Sequence, residues 1–226
     1  MSQSRQVLYL YMKFIFPESE PIQAHPWRGK NLPHKILFIR LHAFGDVLVS
    51  LPVAEALKNS FPDVELHLLV CRTYSELPLN MPLINKVHTL KHTQGRWKAF
   101  DLLAVYPALL WEGFDAIVDL QNNIYSRTVR RALFPAAWTQ FDRYSKIHAL
   151  HRYQNTVNAL GLAQIEVIPK ITLRDEQTGL EKLSEKGWNG SDQLILLNPC
   201  GLFPTRQWGE KNYLSFAHAW LANVDK

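Results

Sequence analysis

Asp46 follows Gly45 in a short loop that also holds His42, and a carboxylate there can do two kinds of chemistry. At the mouth of a helix it can cap the free backbone N–H groups. Aimed into a cleft, it can take a proton from an attacking hydroxyl. The residues alone leave both readings open. Gly45 permits close backbone approach or a positive φ. His42 can polarise a hydroxyl or bind a phosphate, or be an ordinary surface histidine. Gln121, just after Asp119 and Leu120, can donate to sugar hydroxyls or simply bond local backbone. Asn122 after it tolerates a left-handed turn. Further on, Arg127, Arg130, Arg131, Arg143, Lys146 and Arg152 crowd one stretch in which Asp142 is the only acid. Arginine forks suit a phosphate or carboxylate; a solvated basic helix face is the competing reading for Arg127, Arg130 and Arg131. His148 and Arg152 stand one turn apart on one predicted helix face.

These groups need rigid elements behind them. The apolar run Ile36–Ile39, within a strand predicted over Ile36–Leu41, leads into the Gly45–Asp46 loop, and Val47, Leu48, Leu51, Ala54 and Leu57 then recur at helical spacing. That is strand, loop, helix, the first half of a βαβ unit, which places ligands at the carboxyl end of a strand. Further strands are predicted at Val64–Val70, Lys86–Leu90, Ala116–Leu120 and Trp138–Phe141. Helices are predicted at Asp46–Ser60, Gly95–Trp111, Tyr125–Phe134 and Lys146–Gly161. The alternation implies an α/β fold with a parallel sheet covered on both faces. After Gly161 a second series begins: an extended crossover or strand at Ile165–Leu173, a helix at Glu176–Lys186, a strand at Leu194–Leu197 and a helix from Glu210 to about Ala222.

Charge and cysteine content narrow the class. Lys plus Arg total 25 against 20 Asp plus Glu, a net +5 that favours anionic ligands. Cys71 and Cys200 form no CxxC and meet no paired histidines at metal spacing, so neither a disulfide framework nor a metal site is expected. A reducing cytoplasm fits best. The apolar segment Gln6–Phe16 is interrupted by Lys13 and falls short of the roughly 20 residues that span a bilayer. It reads as a short packed helix or an interfacial anchor, followed by an extended proline-rich linker over Glu18–Pro33. No G-x-G-x-x-G follows the first strand, which counts against an unrelated dinucleotide binder.

Four segments in order carry a family resemblance. Arg40–Pro52 reads R-L-x-A-x-G-D-V-L-x-S-x-P, Phe114–Ser126 reads FDAIVDLQNNIYS, His148–Leu162 reads HALHRYQNTVNALGL, and Leu196–Trp208 reads LLNPCGLFPTRQW. Together they resemble glycosyltransferase family 9, the bacterial lipopolysaccharide heptosyltransferases. The resemblance implies a GT-B-like fold: an extension and linker over 1–34, an acceptor-side Rossmann-like lobe with a parallel sheet over 35–162, and the start of an incomplete second Rossmann-like lobe over 163–226. The family's glycine-rich donor motif is absent from these residues.

By the same resemblance, the reaction is inverting transfer of heptose from an ADP-heptose-like sugar nucleotide to an anionic glycolipid acceptor, with Asp46 as general base. His42, Gly45, Gln121, Ser126, His148 and Arg152 fall on the acceptor side. Thr205 and Arg206 match the Thr-Lys pair expected at the donor pyrophosphate, and Gly201 permits backbone approach there. The nucleotide sugar is substrate, and no resident cofactor, metal or nucleic acid is implied. The setting would be cytoplasmic, with peripheral contact at the inner membrane face. A non-catalytic acceptor-binding module is the alternative.

Overall fold

The computed structural model describes residues 21–92, 97–199 and 207–223. Five strands follow the apolar runs closely: β2 Lys35–Ile39, β3 Glu65–Cys71, β4 Lys86–Leu90, β5 Ala116–Asp119 and β6 Ala137–Gln140. A short β1, Gln23–His25, precedes them inside the stretch predicted as linker. Three residues without an apolar pattern give no strand signal; pairing along the edge of β6 makes them one. The sheet order is β1-β6-β5-β2-β3-β4, parallel throughout except for β1.

Alternation along the strands divides the core into two layers. Ile36 and Phe38 of β2 face one side, where α1 (Phe44–Ser60) contributes Val47, Leu51 and Leu57. On that side also lies α5 (Ala149–Asn158), with Tyr153 and Val157; α2 is the short turn Glu76–Leu79. Leu37 and Ile39 face the other side, covered by Leu109 of α3 (Trp97–Glu112) and Val129 of α4 (Ile124–Ala132). α1, α3, α4 and α5 each lie within a few residues of their predicted spans; α2 has no predicted counterpart.

The chain separates into two compact units, Met1–Arg174 and Asp175–Lys226. Residues 163–174 lie with the first. Ile165 and Leu173 pack toward its core, and Glu55 of α1 accepts from Thr172 N (2.9 Å) and Oγ1 (2.6 Å). Among the described residues this segment forms no strand, so the crossover reading holds and the strand reading does not. The second unit holds α6 (Gln177–Glu185) and α7 (Glu210–Leu221). The strand expected at Leu194–Leu197 is not formed: no neighbouring strand pairs with it among the described residues, and Leu196 is 91% exposed. Trp208 is also more than half exposed, edge-on to Tyr213 and Phe216 of α7.

Asn122 adopts φ 46°, the left-handed turn its side chain tolerates. Gly161, two residues past the Ala159 C-cap of α5, has φ +80°. Its Cα lies so close to Pro26 that a Cβ would stand 3.2 Å from the proline Cβ, which fits β1 and the following residues against the helix end.

Candidate functional site

In sequence order the chain places β2, β3 and β4 to one side of the sheet and β5 and β6 to the other, so the connectivity reverses between β2 and β5. A crevice opens outside the carboxyl ends of strands at such a point. There the loops after β2, β5 and β6 meet the start of α1 and the middle of α5. They enclose a cavity of about 300 Å³ lined by Arg40, His42, Ala43, Asp46, Gln121, Phe141, Arg143, Arg152 and Tyr153.

Asp46 sits in the first turn of α1, with its side chain half exposed. The expected capping role moves to Ala43, whose backbone occupies the N-cap; Asp46 is three residues on and reaches back weakly to the Ala43 N–H at 3.4 Å. The helix begins earlier than its apolar pattern because Phe44 and Gly45 already take helical geometry. Gly45 has no positive φ, and a Cβ there would meet open space. Neither feature of the fold demands glycine at this place.

The stronger hold on Asp46 is Arg40. Its Nη2 lies 2.6 Å from the carboxylate, its Nη1 donates to the Leu120 carbonyl, and its guanidinium lies over the Phe141 and Tyr153 rings. Arg40 is buried, and the cation and rings together fix it. A carboxylate anchored through one oxygen on a rigid helix start and open to a cavity can receive a proton from a bound hydroxyl. Sequence reasoning did not single out Arg40. The signal was present, since a charge at the end of an apolar strand is costly unless paired.

Gln121 lines the cavity, but its Oε1 accepts from Leu41 N (2.9 Å) and His42 N (3.2 Å). It therefore shapes the loop that carries His42, and its amide nitrogen is the part left to face a ligand. Arg152 donates to the Asp142 (3.1 Å) and Arg143 (3.2 Å) carbonyls and stacks on Phe141, bringing positive charge to the wall beside Arg143. His148 stands one turn before it, its carbonyl accepting from Arg152 N at 3.1 Å. It is the N-cap of α5, with Nδ1 accepting from Leu150 N, and it is absent from the cavity lining. Ser126 is also away from the cavity, buried and closing a capping box with Asn123 at the start of α4. Thr205, Arg206 and Gly201 lie outside the described residues.

The arginines of α4 divide. Arg130 is buried, stacked on Trp138 at 3.8 Å, bonded to Gln140 and 3.9 Å from Asp119, so it belongs to the fold and not to a solvated face. Arg127 Nε donates to Asn122 Oδ1 at 2.6 Å. Arg131 remains exposed. Desolvation pushes the Asp119 carboxyl up, opposed by the Asn122 amide and the Arg130 charge.

A larger hollow of about 440 Å³ lies between α1 and residues 166–172, but it is remote from the strand ends, and its Glu55 is committed to Thr172.

One further cluster has ligating chemistry. His67 on β3 and His88 on β4 meet through strand register, Nδ1 to Nε2 at 3.2 Å, beside Glu112 at the end of α3. Spacing along the sequence could not show a histidine pair 21 residues apart. Both oxygens of Glu112 are already taken, by Lys86 (2.5 Å) and Lys35 (3.0 Å), so the cluster is satisfied as a buried charge network. Lys86 and Lys35 hold the Glu112 carboxyl at about 2. Burial, aided by His67, pushes His88 down to about 4, and burial lowers His67 as well.

A histidine whose folded value is depressed stabilises the fold above its unfolded value, and that stability is lost as pH falls through the folded value. The window for His88 runs from its ordinary 6.5 down to about 4, and Glu112 adds its share between 4.5 and about 2. Urea unfolding at pH 7 and pH 4.5 is expected to show a loss on the order of 2–3 kcal/mol. In His88→Gln that loss should shrink by about half or more; an unchanged slope would remove His88 as its source.

Comparisons with known proteins bear on the fold. No protein-family model matches the chain. Lipopolysaccharide heptosyltransferase 1 of Campylobacter coli is 31% identical over 99 residues, covering 44% of this chain and 28% of that one. The family 9 glycosyltransferase structure from Veillonella parvula superposes with a TM-score of 0.71 at 19% identity, over 83% of this chain and 59% of that one. The E. coli ADP-heptose lipopolysaccharide heptosyltransferase II structure gives 0.65 at 16% identity, over 83% and 61%. E. coli heptosyltransferase WaaC with ADP-2-deoxy-2-fluoro heptose gives 0.59 at 15% identity, over 82% and 65%. This chain thus spans about 60% of the solved structures and little more than a quarter of the curated relative. Over the part it spans, the chain has the α/β fold of these glycosyltransferases.

Proposed function

We propose that the cavity is the acceptor half of a sugar-transfer site of heptosyltransferase type, serving lipopolysaccharide-core synthesis. The observation that carries this reading is the half-exposed Asp46 carboxylate, fixed by Arg40 on the wall of the cavity at the sheet's switch point. An acceptor hydroxyl bound there gives its proton to Asp46. Its oxygen then attacks the anomeric carbon of an ADP-heptose-like donor, the bond from that carbon to the phosphate oxygen breaks, and ADP leaves with the electron pair. Attack opposite the leaving group inverts the anomeric centre. Arg143 and Arg152 supply the positive wall for an anionic glycolipid acceptor. His42 and the Gln121 amide reach its hydroxyls, and Gly45 leaves room for close approach. Thr205 and Arg206 hold the donor pyrophosphate. The donor is consumed as substrate, and the mechanism needs no resident cofactor. The setting is the cytoplasmic side of the inner membrane.

A second reading is a non-catalytic acceptor-binding module, in which Arg143 and Arg152 hold the anionic oligosaccharide and Asp46 only pairs Arg40. Calorimetry with ADP and with an anionic core oligosaccharide, beside a transfer assay, separates the two. The enzyme reading expects both ligands to bind and heptose to be transferred. Oligosaccharide binding without ADP binding or transfer selects the module. No oligosaccharide binding overturns both.

A further inference from the structure

The helix α3 carries an outer face with no charged residue among its described exposed side chains. Trp97, Phe100, Leu103, Pro107, Leu110 and Trp111 recur at three- and four-residue spacing. Leu103 is 69% exposed and Trp111 91% exposed. The acids of the same helix are turned to partners in the protein: Asp101 to His92, and Glu112 to Lys35 and Lys86. At about 1.5 Å per residue the two tryptophans stand roughly 21 Å apart, one near each end of the helix. A solvent face of this composition has no use for water.

What covers it can be argued from its neighbours. Tyr106 Oη donates to the Ala132 carbonyl and ties α3 to the end of α4, where Arg131 is exposed. Phe134 follows, 86% exposed and held at φ 48°, a conformation bulky residues avoid. Apolar and aromatic groups beside exposed arginine fit the interface of an anionic bilayer, where rings sit at headgroup level and basic side chains meet lipid phosphates. The helix direction adds a second point. Glu112 lies beside Lys35 and Lys86 at the amino ends of β2 and β4, so the Trp97 end of α3 lies at the carboxyl edge, where the cavity opens.

We propose that the outer face of α3, with Phe134 and Arg131, docks the protein on an anionic lipid bilayer and brings the cavity edge to the membrane surface. The choice of a lipid partner rests on the glycolipid-acceptor reading above; the contact itself is testable without it. The test is co-sedimentation with vesicles of phosphatidylcholine and phosphatidylglycerol, comparing the protein with the double variant Leu103→Glu/Trp111→Glu. Both positions are exposed, and circular dichroism checks that the fold is kept. The expected result is a partition coefficient about tenfold or more lower for the variant, with weaker binding of the unaltered protein to phosphatidylcholine alone. Equal partition of the two proteins would overturn the proposal. So would failure of the unaltered protein to bind vesicles while it forms a dimer that the variant breaks, since a second copy would then be the occupant. Transfer to a deacylated, water-soluble acceptor is measured alongside. Vesicle binding without transfer defeats the glycosyltransferase reading and leaves the docking face standing; transfer with unchanged partition does the reverse.

Discussion

Asp46→Asn is expected to lower kcat for heptose transfer by roughly two to four orders of magnitude, the usual worth of a positioned general base. The substitution keeps the side chain's size and leaves an oxygen to receive Arg40 Nη2, so the cavity wall should stand. What is lost is the ability to take a proton. Some stability will go with it, because Arg40 is buried and its charge loses an anionic partner. That loss is limited: Nη1 still donates to Leu120, and the Phe141 and Tyr153 rings remain over the cation. The three measurements are kcat, oligosaccharide affinity and a thermal melt. A collapsed kcat with affinity within a few fold and a cooperative melt identifies a base. If kcat is unchanged, Asp46 serves only to pair Arg40 and close the first turn of α1.

The elements behind this site were legible from local pattern. Apolar runs marked the five parallel strands, and helical spacing marked the helices over them, because burial on both faces of a parallel sheet leaves a continuous apolar signature. The Gly45–Asp46 loop could be placed at a strand's carboxyl end for the same reason. Alternation reveals which face a side chain takes, however, and not which strand lies beside it. Arg40 meets the Leu120 carbonyl across 80 residues, and His67 meets His88 across 21; both contacts depend on strand order and register. Such pairs stay invisible until the sheet is assembled.

Arg130 shows a different limit. Three arginines within five residues look like a solvated helix face. Yet Ser126, Val129, Arg130 and Leu133 fall at the spacing of one buried stripe, and all four are buried. The stripe was there to be read. What could not be read was Trp138, which supplies the ring that makes a buried guanidinium tolerable, and Asp119, which supplies its counter-charge. His148 was legible only as a neighbour of Arg152 one turn on, not as a cap. Helix periodicity places residues on faces only inside a helix, and His148 stands just before one.

The largest stability effect is expected from Asp119→Ala. Asp119 is fully buried at the end of β5, and its Oδ1 accepts the backbone N–H groups of Gln121 (3.1 Å) and Asn122 (2.7 Å). Its other oxygen faces Arg130 Nε at 3.9 Å. Alanine removes both acceptors and leaves a buried guanidinium without its counter-charge. Breaking a buried pair from one side costs about 3–5 kcal/mol, a fall in Tm on the order of 10 °C for a chain of this size. The damage should also travel to the cavity. The turn that Asp119 holds carries Gln121, whose Oε1 fixes the amides of Leu41 and His42, and those lead into the first turn of α1. Oligosaccharide affinity should therefore fall together with Tm. The double variant Asp119→Ala/Arg130→Leu removes the orphaned charge and should recover part of the stability while leaving the turn unbraced, so its affinity stays low. A loss below about 1 kcal/mol in the single variant would show that the Asp119–Arg130 pair stabilises neither the fold nor the site.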